Sequence, residues 1–424
     1  MPIRLFLALL FATFLLPAEQ NRLLVISIDG LDHRWLRDRD SLGLQIPNLR
    51  KLVDEGVVAD GVVGIVPTVT WPSHTTMITG LTAPAHGIVS NNQPGKPGQR
   101  WWYVRYLTAK TLWHVAREKG LKTGAVWWPV TVGAEIDYNF PEFWEDPSLK
   151  PYAFEPVLKH STPGLAEKIS KAHPSFLRQS LTDRQRVLAA RYILEHKQPE
   201  LFLLHLGELD SEQHSTGAFS TNAKATLEYQ DELLGPLLEA VPEGTFIAVV
   251  SDHGFETNKR AYRPKVELKQ DRIEADVLVA EGIFAVKPGK SGEATRLFRA
   301  LIGKPGSVIA REVPLDEALR MAPTFKGYTA FFETTFGVIP VDEDTGPVLG
   351  PGNGRGYHGL WPTRDDYRAA FLLWGPGIRA GEIPEISMLD IGPTFADILS
   401  LELPRTQGHS LWQVMDQFRY PAQQ

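Results

Sequence analysis

The stretch "LLVISIDG", Leu23 to Gly30, is a run of aliphatic residues interrupted only by Ser27 and closed by an acid and a glycine. A run this short and this apolar reads as a strand buried on both faces, because a strand flanked by helices has no polar side to show. Three further runs share the character: "LFLLHL" (Leu201 to Leu206), "TFIAVVS" (Thr245 to Ser251) and "AAFLLW" (Ala369 to Trp374). All four are expected to lie parallel in one sheet. Helical patterns fall between them: "IPNLRKLVDEG" stopping at Gly56, "LTAKTLWHVAREKG" stopping at Gly120, "TDRQRVLAARYILEHKQP", "NAKATLEYQDELLGPLLEAV", and near the end "LDIGPTFADILS". Such alternation predicts an α/β fold, a mostly parallel central sheet with helices on both faces.

Two segments fit this scheme poorly, the Pro- and Trp-rich Gln93 to Pro156, and Lys259 to Gly356 with its Gly-rich "GPVLGPGNGRG". The strand pattern resumes at Ala369, so residues 259–356 are expected to be an inserted cap, with residues 19–258 and 357–424 forming the main domain. The opening "MPIRLFLALLFATFLLPAEQ" is apolar from Leu5 to Leu16 and reads as a signal peptide of residues 1–18, with a retained anchor as the alternative. A periplasmic or secreted protein without stable membrane insertion after cleavage is expected. Among the 424 residues, a net charge of −6 without a basic stripe argues against a nucleic-acid polymer as partner. The absence of cysteine removes disulfides, thiolate ligands and a cysteine nucleophile.

In an open parallel sheet, ligands bind beyond the carboxyl ends of the strands. Asp29 follows the first run; Asp210 and His214 follow the second; Asp252 and His253 follow the third. The spacing of Asp210 and His214 places both on one side of a helical turn. Carboxylate and imidazole together suit zinc or another borderline divalent ion, and this set exceeds one site. A two-metal centre with ions roughly 3.5–4 Å apart is the economical arrangement, and it suits in-line displacement at phosphorus.

In "PTVTWPSHTTMITG", Pro67 to Gly80, Pro72 fits the first turn of a helix and Thr70 sits at or just before its cap. The plain assignment is an N-capping threonine. The same geometry serves chemistry, because free N–H groups at a helix start favour an anion and a nearby metal lowers the hydroxyl pKa. Thr70 is then a nucleophile that forms a covalent phosphothreonine.

The ordered set "SIDG", "PTVTWPSHTTMITGLTAPAHGIVSN", "ELDSEQHSTG", "VVSDHGF", "GYHG" and "LDIGPTFADIL" resembles the type I phosphodiesterase / nucleotide pyrophosphatase branch of the alkaline phosphatase superfamily. The resemblance runs from Asp29 to Leu399. It implies an alkaline-phosphatase-like three-layer sandwich with an inserted cap and a two-zinc hydrolase of phosphodiester or pyrophosphate bonds with a threonine nucleophile. It implies Asp29, Asp252 and His253 as ligands of the zinc that also touches Thr70, and Asp210, His214 and His358 as ligands of the other. His358 lies in a Gly-rich loop that periodicity does not single out. Asn91 matches the family asparagine that donates to a non-bridging phosphate oxygen. The family commonly has Asn where this chain has Ser73. Trp71 follows the nucleophile where an aromatic residue, often Phe, can stack on a nucleobase. His205 stands where nucleotide-cleaving members often carry Tyr, which weakens the case for a nucleotide. His74 and His86 match motif positions and are expected to be structural.

The substrate implied is a small phosphate ester, with nucleotides among the candidates. A phosphomonoesterase or a phosphonate hydrolase on the same metal core is the alternative. A monoester dianion calls for extra cations, and Arg100, Arg105 and Lys259 are the candidates to supply them. A sulfatase needs an oxidisable Cys or Ser with an Arg four residues on, whereas here Thr70 is followed by His74. A non-catalytic metal-binding homologue is disfavoured because all seven metal and nucleophile positions carry competent residues.

Overall fold

The computed structural model describes residues 20–96, 98–144, 154–178, 181–364 and 366–418; the expected signal peptide lies outside them. The first strand, β1 (Arg22–Ile28), sits deep in a sheet with β2 (Val57–Ala59), β3 (Thr123–Val126), β4 (Tyr138–Phe140), β5 (Leu201–Leu206), β6 (Thr245–Val250), β7 (Phe371–Trp374) and β8 (Gly381–Ile383). Their order is β8-β2-β7-β6-β1-β5-β3-β4. β1 pairs in parallel with both neighbours, Leu23 opposite Leu201 on one side and Phe246 on the other.

Alternate residues of β1 feed two cores. Leu24, Ile26 and Ile28 join one with α1 (Pro47–Glu55), while Leu23 and Val25 join another with α2 (Thr70–Thr79) and α3 (Leu112–Glu118). The first core is completed by α4 (Asp183–Lys197), α5 (Glu208–Thr216) and α6 (Thr221–Glu239), and the second by α7 (Ile391–Ile398). A strand with apolar residues at both parities therefore has helices on both faces, which gives three layers. Gly56 ends α1 in extended backbone, where a Cβ would stand 2.6 Å from the Leu52 carbonyl oxygen and 2.7 Å from that of Leu373.

The run "AAFLLW" departs from expectation. Its strand β7 is antiparallel to both β6 and β2. The physical reason is that residues 251–370 leave β6 and return at the same edge of the sheet, the Ser251 N–H bonding the Ala370 carbonyl at 3.0 Å. With no crossover back to the opposite edge, the next strand runs in reverse.

The segment from Gln93 to Pro156 supplies β3 and β4, too short to show a strand pattern, and an aromatic cluster that includes Trp71, Trp102 and Phe143. Within residues 259–356, strands Val277–Ala280, Ile283–Val286, Ala330–Thr334 and Ile309–Val313 form a second, antiparallel sheet. The helix Ser291–Leu301 packs on it around Phe284, Phe298 and Phe332. This unit meets the main body through the short pairing of Glu256–Thr257 with Gly356–Tyr357, and through Arg364, whose guanidinium binds Glu256 and the Thr334 carbonyl.

Candidate active site

The carboxyl ends of β1, β5 and β6 deliver the acids to one place. Gly30, at φ 69°, turns the chain sharply after Asp29, and a Cβ there would lie 2.7 Å from the Phe255 ring. α5 begins directly after β5, so Asp210 lies in its first turn and His214 one turn on, their side chains 3.4 Å apart. Asp252 and His253 follow β6. His358 arrives from the far end of the excursion, beside the Gly356–Tyr357 pairing, and its ring lies flat on that of His253 at 3.7 Å.

Two clusters result, Asp29 with Asp252 and His253, and Asp210 with His253 and His358, each with ligating atoms within 4.8 Å of one another. His214 stands beside the second, its ring 4.9 Å from that of His358. Asp29 Oδ1, Asp210 Oδ1, Asp252 Oδ2 and His253 Nε2 are all buried with no hydrogen-bond partner. His253 Nε2 is 3.1 Å from Asp252 Oδ2, yet the two are not aligned as a hydrogen bond. The Nδ1 atoms of His214, His253 and His358 lie 3.1, 3.3 and 3.2 Å from the carbonyls of Gly356, Gly254 and Thr68. A carbonyl only accepts, so each Nδ1 carries the proton and each Nε2 presents a lone pair inward.

Burial, then the charges of Asp252 and Asp210, holds the Asp29 carboxyl well above the usual carboxylate range. Burial and the neighbouring His253 push His358 down to about 3. Crowded acids beside imidazoles, with inward-facing atoms left unpaired, fit divalent cations. Donors of this kind without thiolate suit zinc or a similar borderline ion.

Thr70 is the first residue of α2, and the cap is Val69, with no side-chain capping bond. The N-capping assignment for Thr70 is therefore excluded. Its hydroxyl makes no hydrogen bond among the described residues and faces a cavity of about 290 Å³ that Asp29, Asn91, Asp210, His214 and His358 also line. The Asn91 side-chain oxygen accepts from the Trp71 N–H at 3.1 Å, which leaves its amide N–H groups for the cavity. His74 bridges the Thr70 carbonyl and the Ser27 hydroxyl, each at 2.8 Å, and pins the start of the helix. His86, fully buried, bonds Thr76 at 3.1 Å. Ser73 is also fully buried, its hydroxyl unpaired.

The model of the family described as type I phosphodiesterase / nucleotide pyrophosphatase matches residues 23–308. The chain belongs to this family. Among its relatives, venom phosphodiesterase CdcPDE of Crotalus durissus collilineatus is 26% identical over 274 residues, 60% of this chain and 28% of that protein. Ectonucleotide pyrophosphatase/phosphodiesterase family member 1 of Homo sapiens is 24% identical over 418 residues, 89% of this chain and 40% of that protein. The chain thus spans well under half the length of these relatives. Murine ectonucleotide pyrophosphatase / phosphodiesterase 5 matches in structure with a TM-score of 0.61 at 19% identity, over 94% of this chain and 100% of that one. An inactive variant of the same murine protein, in complex with AMP, also matches with a TM-score of 0.61, at 19% identity, over 95% of this chain and 100% of that one.

In this family member the rest of the cavity is aromatic and charged. Trp71 is almost fully buried among Trp102 and Trp144, with ring centroids at 5.5 and 6.0 Å, and its edge reaches the cavity. His205 also reaches the wall, but Nε2 lies 3.0 Å from Asp29 and Nδ1 3.1 Å from the Trp127 carbonyl, so its ring is tied to the acid beneath. Arg100 lines the cavity; Arg105 and Lys259 pack instead on Tyr103 and Phe336. Trp127, Glu142, Trp144 and Arg186 line the cavity as well and escape a reading based on strand ends. The density of Trp around "VWWPV" and "PEFW" was the available signal for the first three. Arg186, on α4, gave none.

Proposed function

We propose that the chain is a two-zinc hydrolase of phosphodiester or pyrophosphate bonds acting through a covalent phosphothreonine at Thr70. The observation that carries this is the set of buried, unpaired atoms on Asp29, Asp210, Asp252 and His253, gathered in two clusters whose Asp29, Asp210 and His358 line the same cavity as Thr70. Asp29, Asp252 and His253 would hold one ion, which also meets Thr70; Asp210, His214 and His358 would hold the other. When bound, the ions supply Lewis-acid chemistry, lowering the pKa of the attacking hydroxyl and neutralising charge on the leaving oxygen. Thr70 Oγ1 loses its proton to water and bonds to phosphorus as the bond to the leaving oxygen breaks. Water then attacks phosphorus and frees Thr70. Asn91 donates to a non-bridging oxygen, and the N-terminus of α2 favours the anion. His205 orients Asp29. Relatives named phosphodiesterases and ectonucleotide pyrophosphatases support the reaction class, and the AMP complex of the murine structural neighbour keeps nucleotides among the substrates.

Arg100 and Arg186 favour a second activity, on phosphomonoesters or phosphonates, because they supply the cations a more highly charged substrate needs. The chain is exported, with residues 1–18 as its leader, as the venom enzymes and ectoenzymes among its relatives suggest. Among the described residues no helix is long and apolar enough to cross a membrane. The test is turnover of bis(p-nitrophenyl) phosphate against p-nitrophenyl phosphate by zinc-loaded protein, wild type and Thr70→Ala. The diester is expected to be favoured and the variant to lose about 10³-fold or more while still binding zinc. Equal turnover by the variant removes the nucleophile.

A further inference from the structure

The cavity that holds Thr70 also holds a carboxyl group with no task in the proposed hydrolysis, that of Glu142. Glu142 follows β4 in "FPEFW", is 4% exposed, and has a buried oxygen, Oε2, with no hydrogen-bond partner. An unpaired buried acceptor is costly, and a carboxyl more so than an amide. Two cations lie nearby without satisfying it. Arg186 donates to Asp183 at 2.9 Å and sits over the Trp127 ring at 4.5 Å; Arg100 sits over the Trp71 ring at 4.8 Å. Burial pushes the Glu142 carboxyl up to about 8, against the opposing pull of both.

We propose that Glu142 determines specificity in this cavity, its free oxygen accepting a hydrogen bond from an N–H or O–H group on the organic substituent that stays on phosphorus. This rests on the hydrolase function above. The surroundings select the class. An ammonium finds the Trp71 and Trp127 rings already engaged by guanidinium groups, and a carboxyl held up to about 8 is largely neutral near pH 7, so it pairs with a neutral donor rather than with a charge. A neutral, flat group with a polar edge packs among Trp71, Trp127 and Trp144 and turns that edge to Glu142, as a nucleoside does through a base amine or a sugar hydroxyl.

The test compares kcat/KM for p-nitrophenyl esters of adenosine 5′-phosphate, its purine riboside analogue lacking the amine, its 2′,3′-dideoxy analogue, and phenyl phosphate, using zinc-loaded full chain. Wild type is expected to prefer the adenosine ester to the phenyl ester. In Glu142→Leu that ratio falls about 10- to 100-fold, with Glu142→Gln between. The analogue already disfavoured by wild type, and not disfavoured further by Glu142→Leu, identifies the amine or the hydroxyls as the donor. Because each ratio is taken within one preparation, the fraction folded cancels. A wild type active on all esters, with ratios unchanged within about threefold in both variants, overturns the role of Glu142 alone. A wild type silent on every ester overturns the hydrolase assignment, and this role with it.

Discussion

Asp252→Asn is expected to reverse the sign of its effect on stability when zinc is added. Asp252 is fully buried, its Oδ1 accepts from the Gly30 N–H at 3.1 Å, and its Oδ2 has no partner. Its ligating oxygen lies within 4.8 Å of that of Asp29. Two unit charges at that distance repel by roughly 3 kcal/mol at an effective dielectric of about 20. Asparagine has the same shape and keeps the Gly30 bond, so in chelator the variant sheds this repulsion. Burial and Asp252 have already driven Asp29 toward its protonated form, while His253 and His74 hold the Asp252 carboxyl well below the usual carboxylate range despite its burial, and both relieve part of the strain in wild type. The net gain is about 1–2 kcal/mol. With zinc at about 100 times Kd, each bound ion adds about 2.7 kcal/mol, so two add about 5 kcal/mol to wild type and one adds half that to the variant. An unfolding entropy of about 2.1 cal/mol/K per residue makes 1 kcal/mol worth about 1 °C in a chain of this length. The midpoint of the variant is therefore expected about 1–2 °C above wild type in EDTA and about 1–2 °C below it in zinc. Scanning calorimetry in both conditions, with elemental analysis of bound metal, checks this. A variant less stable in both, or a wild type that zinc does not move, refutes the proposed charge cluster.

Asn91→Ala is expected to lower kcat for the diester by about 10²–10³-fold with bound zinc unchanged, as removal of an oxyanion donor does; a loss confined to KM contradicts its role. His205→Phe fills the same space without holding Asp29, and is expected to weaken zinc binding by about 10- to 100-fold in a competition titration with a fluorescent chelator. Glu142 links stability to pH. Burial raises its folded pKa to about 8, above the usual glutamate value of 4.5. Its contribution is therefore fully present below about pH 4.5 and lost as pH rises through 8, by an amount on the order of 5 kcal/mol. In chelator, urea midpoints of wild type minus Glu142→Gln should fall between pH 5 and pH 8; a flat difference shows that the carboxyl is not buried as described.

The sheet was legible wherever strands were long and apolar at both parities, as in "LLVISI" and "LFLLHL", because burial on both faces leaves no other pattern. Direction was not legible. "AAFLLW" has the composition of its parallel neighbours, and nothing local records that residues 251–370 return to the edge they left. Asp29, Asp252 and His253 were singled out because they closely follow strands and Asp210 because it opens the helix after one, and the strand ends bring them together. His358 and Asn91 come from loops, and their identification needed the ordered motifs. Pro72 placed Thr70 at or just before the cap; the helix begins at Thr70 itself, and Val69 is the cap. Glu142 and Arg186 show the limit most clearly. Glu142 follows a strand of three residues, and Arg186 lies on a helix with buried residues on most sides, so neither stands out from its own element.

The reversed strand also explains how the second ligand set is completed. In a purely parallel sheet the chain leaving β6 would cross a face and re-enter from the far edge, carrying later residues away from Asp252 and His253. Because β7 is antiparallel, residues 251–370 begin and end at the acid-bearing edge, and His358 can lie flat against His253. Glu256 and Arg364 close this loop, joined by a buried ion pair whose guanidinium also holds the carbonyls of Thr334 and Thr335. Removing one partner of such a pair leaves a buried charge uncompensated, at a cost of about 3–5 kcal/mol. The same bond thus fixes residues on both sides of the stacked histidines and anchors the second sheet to the edge of the cavity.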